Sequence, residues 1–187
     1  MDQLAAPYVA EAPPYKEEHS LDLAPEELVV ALARKKAESL AERYPRAFII
    51  GSDQVAELDG EILLKPGTSE RAVDQLQRLS GRSHRLLTGV AVHAPHLKTT
   101  ETALHEHVMT MRELTSDQLR AYVAHDNPID CAGAYKIESA GIALFERMDG
   151  TDYTGIVGLP LTVVVSLVSR LPGGWTALGP VGRMAGQ

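Results

Sequence analysis

A chain of 187 residues, 44% hydrophobic and 23% charged, carries enough apolar surface for one domain, or one domain with a lobe. Its net charge of −7 argues against a nucleic acid polymer as partner, yet it leaves room for one small anion met by local cations. The longest apolar run, residues 159–168, is broken by Thr162 and Ser166 and falls short of a membrane span, and a single cysteine, Cys131, precludes an internal disulfide.

Met1-Asp2-Gln3-Leu4 has neither the basic nor the apolar stretch of a signal peptide, so the expected compartment is a reducing cytoplasm. Residues 5–12 read as an extended segment closed by Pro13-Pro14. Pro25 opens a helix to Tyr44, with Glu26 and Glu27 at its positive end. Ala47-Phe48-Ile49-Ile50 predicts a short strand stopped by Gly51. Asp59-Gly60 signals a tight turn between strands over 55–58 and 61–64. A second helix spans 69–79 and ends at Ser80-Gly81. Strands follow over 85–93 and 99–111, and Thr115 with Gln118 forms a capping box opening a helix to His125. Residues 142–146 read as a strand, Gly158-Leu159-Pro160 opens a last helix to Arg170, and residues 173–187 read as a loose Gly/Pro-rich tail. The expected class is α/β, a mixed α+β fold with a mixed sheet, arranged as a domain over 1–171 and a tail over 172–187.

Three residues sit awkwardly in a purely structural reading. On the first helix Leu28, Val29, Leu32, Ala33 and Leu40 fill one arc, and Lys36 falls in its middle. Such a lysine either snorkels past the core or points through its edge into an anion site. Asp53 stands just beyond the expected strand, where it is either a turn residue or a ligand-facing carboxylate. Lys65-Pro66-Gly67 puts a lysine on a rigid turn, as surface solvation or as a phosphate contact. His105 and His107 share a strand face without a third ligand, and Cys131 beside Asp130 lacks a local base. No glycine-rich phosphate loop is present.

Ile50-Gly51-Ser52-Asp53-Gln54-Val55, Leu58-Asp59-Gly60-Glu61-Ile62, Lys65-Pro66, Leu79-Ser80-Gly81-Arg82 and Leu87-Thr88-Gly89-Val90 resemble the Maf family of nucleoside triphosphate pyrophosphatases. Asp130-Cys131-Ala132-Gly133-Ala134-Tyr135-Lys136-Ile137-Glu138, Leu144-Phe145-Glu146-Arg147 and Val157-Gly158-Leu159-Pro160-Leu161 continue the resemblance in the same order. It implies a two-lobed, inosine-triphosphatase-like fold with a central mixed sheet and a cleft, in many members a homodimer. It also implies hydrolysis of a nucleoside triphosphate to the monophosphate and pyrophosphate with a divalent cation, Mg2+ or Mn2+. Asp53 and Glu17 match the family's acidic positions, as metal ligands and catalytic groups, and Lys36 and Lys65 match its phosphate-binding lysines. Gln54 and Glu138, with Lys136 beside them, resemble the substrate-binding residues of the subgroup acting on 7-methyl-GTP. The dTTP/UTP subgroup differs at those positions. A carboxylate at 138 suits the N1–H and 2-amino edge of guanine, which pyrimidines lack; its structural alternative is a surface glutamate.

Two departures are plain. The family's opening strand and Ser-x-Ser-x-x-Arg loop have no counterpart here, and Lys16 stands where relatives carry Asp. The alternatives to an enzyme acting on 7-methyl-GTP are a catalytically impaired nucleotide-binding protein or a dTTP/UTP pyrophosphatase of the same family.

Overall fold

Two tight connections set the direction of the sheet. Asp59 and Gly60, both at positive φ, turn β1 (Ile49–Leu58) back as β2 (Glu61–Leu63), pairing Leu58 with Glu61. A turn over Pro95–Leu97, ending at Lys98 in the left-handed region, separates β3 (Ser83–Ala94) from β4 (Thr99–Met111). This computed structural model describes residues 1–15 and 23–180. Its sheet has the order β2-β1-β3-β4-β5, with β5 (Phe145–Asp149) antiparallel to the end of β4. The strands are antiparallel, so the mixture in this α/β chain is of helices with strands and not of strand directions. Hairpin chemistry accounts for the β1–β2 and β3–β4 pairs, since short connections can join only antiparallel neighbours.

The α-helices among the described residues are α1 (Pro25–Glu38), α2 (Ser69–Leu79), α3 (Ser116–Asp126), α4 (Leu161–Ser169) and α5 (Gly174–Ala177). Thr115 and Gln118 close the expected capping box at the start of α3. The helix expected to reach Tyr44 stops at Glu38. Ser39 donates its hydroxyl to the Lys36 carbonyl, and the chain tightens into Leu40 N–H to Ala37 and Ala41 N–H to Glu38 bonds. The strand expected over 142–146 begins at Phe145, because residues 140–144 wind into a 3-10 turn. Residues 173–180, expected to be loose, include α5 and bury Leu178 against Val164, Leu167 and Val168.

The chain forms two compact units, and β1, β3 and β4 contribute residues to both. The first comprises Met1–Asp53, Thr88–His105 and Gly158–Gln187. One of its clusters joins Ala33 and Ala37 of α1 to Ile49 and Ala91; another joins Val90, Val92 and Ile50 to α4. The second comprises Gln54–Leu87 and Glu106–Val157. In it Leu76, Leu79, Leu86, Met109, Met111 and Leu119 pack with Tyr135 and Phe145, whose rings meet edge to face at 4.8 Å. His84 lies in the same core, its Nε2 2.9 Å from the Tyr135 hydroxyl.

Candidate active site

Gly51 does not end the strand. It lies beneath α1, where an added Cβ would overlap the Ala33 carbonyl and sit 2.8 Å from the Ala37 nitrogen. Gly89 on β3 does the same under α1, at 2.6 Å from the Val30 nitrogen. Two missing side chains therefore let the helix settle directly on the sheet. β1 continues past Gly51, and Asp53, expected beyond the strand end, is an interior strand residue. Alternation puts Gly51 and Asp53 on the face that carries α1, and Ile50 and Ser52 on the face that carries α4.

That close approach brings the two oddities of the sequence together. Lys36 leaves the buried stripe of α1 one turn after Leu32, and its Nζ donates to Asp53 Oδ1 at 2.6 Å. The side chains are only 17% and 11% exposed, so the pair is largely shielded while keeping an opening to solvent. Lys36 thus ends on a carboxylate of the sheet and does not snorkel into open solvent. A carboxylate and an ammonium held this closely on rigid elements can orient water and meet phosphate oxygens.

The other predicted residues belong to the second unit or lie outside the described residues. Gln54 belongs to the second unit, half-buried, with Nε2 donating to the Gly155 carbonyl at 2.7 Å. Lys65, between β2 and α2, is exposed and also belongs to the second unit. Glu138 is exposed in that unit, whereas Lys136 directs its ammonium to the carbonyls of Asp126 and Asn127, at 3.1 and 3.2 Å. Glu17 lies outside the described residues. Burial pushes the Cys131 thiol up, as its first cause, and the Asp130 carboxylate adds to this, so it stays protonated at neutral pH.

Sequence reasoning missed Ser52. Its hydroxyl lies 2.8 Å from the Gly158 carbonyl and 3.1 Å from that of Gly89, fixing β1 directly beside Asp53. These partners are 106 and 37 residues away, and no local pattern announces them.

Among the described residues no group of three His, Cys, Asp or Glu side chains gathers into a metal cage. Magnesium rarely needs one: it keeps several waters and takes one or two carboxylates plus substrate phosphates. A single strand-borne carboxylate such as Asp53 fits that donor set.

Comparison with known proteins agrees with the blocks read from the sequence. The profile of the Maf-like protein family matches residues 1–171. A 7-methyl-GTP pyrophosphatase of Syntrophotalea carbinolica is 44% identical over 171 residues, covering 91% of this chain and 87% of that protein. Proteins of the same name from Pseudomonas aeruginosa (42% over 168 residues, 90% and 88% covered) and Hahella chejuensis (38% over 162 residues, 86% and 81%) are also similar.

Proposed function

The chain belongs to the Maf-like protein family, and we propose that it hydrolyses 7-methyl-GTP between the α and β phosphates, giving the nucleoside monophosphate and pyrophosphate. The observation that carries this reading is the 2.6 Å pairing of Lys36 with Asp53 on elements locked together through Gly51. The names of the similar proteins supply the substrate.

In this reading Asp53 accepts a proton from the water that attacks the α-phosphorus, while the bond from that phosphorus to the bridging oxygen breaks and pyrophosphate leaves. Lys36 fixes the carboxylate and offsets negative charge on the phosphate oxygens, and Lys65 meets the departing phosphates. Asp53 and Glu17 would hold the divalent cation, Mg2+ or Mn2+. Such an ion adds charge neutralisation at the phosphates. Glu138 accepts hydrogen bonds from the guanine edge, which separates this substrate from dTTP and UTP, while Gln54 adds to the base-recognition set and Lys136 stands beside Glu138. A cytoplasmic site of action and pairing into a homodimer go with the same reading. No helix among the described residues is long and apolar enough to cross a membrane.

The test is pyrophosphate release with magnesium from 7-methyl-GTP, dTTP and UTP. Asp53→Asn is expected to abolish turnover while the thermal midpoint stays within a few degrees. Wild-type inertness toward all three nucleotides, or full activity of the variant, would overturn the proposal.

A further inference from the structure

Glu138 is exposed, and a freely moving glutamate discriminates poorly between bases, because ordering it on binding costs rotamer and backbone entropy. Its two flanks are not free. On one side the Lys136 backbone N–H donates to the Tyr122 hydroxyl at 2.9 Å, and Tyr122 is a buried residue of α3. The Lys136 ammonium reaches the carbonyls of Asp126 and Asn127, at 3.1 and 3.2 Å. Those groups lie at the C-terminal end of α3, where unpaired carbonyls and the helix dipole favour a cation, and Asn127 closes the helix in the left-handed conformation. On the other side the Ser139 hydroxyl donates to Asp126 Oδ1 at 2.9 Å. The Asp126 side chain is only 2% exposed, so this acceptor is fixed by its surroundings. The turn also closes on itself, with the N–H groups of Ser139 and Gly141 both directed to the Lys136 carbonyl, at 3.2 and 3.0 Å.

One helix end therefore grips residues 136 and 139 and leaves the side chain of 138 projecting from between them. We infer that Lys136 and Ser139, anchored on Tyr122 and Asp126 of α3, are positioning residues that hold Glu138 in a fixed orientation and so set base selectivity. The inference rests on the substrate reading above, and it reassigns Lys136 from substrate contact to support. The ammonium neutralises the helix end, and the hydroxyl fixes the far side of the turn. With both in place, Glu138 meets a guanine edge with its backbone already ordered.

Calorimetric affinities of the full chain for 7-methyl-GTP and dTTP test it, because a general loss of folded protein leaves their ratio unchanged. Glu138→Gln is expected to lower the preference for 7-methyl-GTP by about tenfold or more. Ser139→Ala and Lys136→Met are expected to lower it in the same direction by about three- to tenfold, and Ser139→Thr, which keeps the hydroxyl, to restore it. If Glu138→Gln lowers the preference while Ser139→Ala and Lys136→Met keep the wild-type ratio, the positioning role falls and the substrate reading stands. Equal weakening of both nucleotides by the flanking variants also overturns it, as a purely structural effect. An unchanged ratio in Glu138→Gln removes both the base-reading role of Glu138 and the support assigned to its neighbours.

Discussion

The Lys36–Asp53 pair is where residue chemistry departs most from what a core tolerates. Burying either charge alone is costly, and the pair persists because each offsets the other. Removing one partner leaves the other shielded from water. Lys36→Met is thus expected to lower stability by about 1–3 kcal/mol in urea unfolding and to cut turnover of 7-methyl-GTP by about a hundredfold. A variant more stable than wild type would mean the lysine is retained for chemistry at a cost to the fold. A variant with wild-type turnover would remove Lys36 from the catalytic set.

At the scale of elements, the decisive contact is α1 lying on β1 and β3 where Gly51 and Gly89 leave no Cβ. The atoms met there are helix backbone, which cannot swing aside as a side chain would. Gly51→Ala must therefore push α1 off the strand, at a cost of about 3 kcal/mol in denaturant unfolding. The same displacement pulls Lys36 from Asp53, so turnover should fall further than the loss of folded protein explains. An alanine variant with unchanged stability would show that the helix has room to shift.

Over the whole molecule, the buried His84 gives stability a pH dependence with a definite sign. Burial lowers its pKa to about 4 from an ordinary 6.5, and its partner Tyr135 is a phenol with no charge to offer the imidazolium. Above pH 6.5 the ring is neutral in both the folded and unfolded states and contributes no slope. Between pH 6.5 and 4 the unfolded chain binds a proton that the folded one refuses. Stability then drops as pH falls, by about 3 kcal/mol across that window. Urea unfolding of wild type and His84→Gln at pH 7, 5.5 and 4 checks this. The variant should show a shallower decline, and parallel declines would assign the acid sensitivity to other groups.

The amino-acid sequence by itself determined the elements whose signals are local. α2 and β4 match the residues expected of them, and the Thr115–Gln118 box opens α3. Asp59-Gly60 makes the β1–β2 turn, and the ordered motifs give the family. Capping, turn chemistry and periodicity act over a few residues, so they can be read without the fold. Lys36 was legible as an anomaly for the same reason: helical periodicity set it on an apolar stripe. Tertiary structure alone decided that Gly51 is a packing glycine and not a strand stop, since its partners lie 18 and 14 residues earlier on a helix. It alone placed Asp53 inside a strand beneath Lys36, tied Ser52 to Gly158, and turned Lys136 toward the end of α3. Each of these depends on which backbones approach within van der Waals distance, and that is fixed only when distant segments pack.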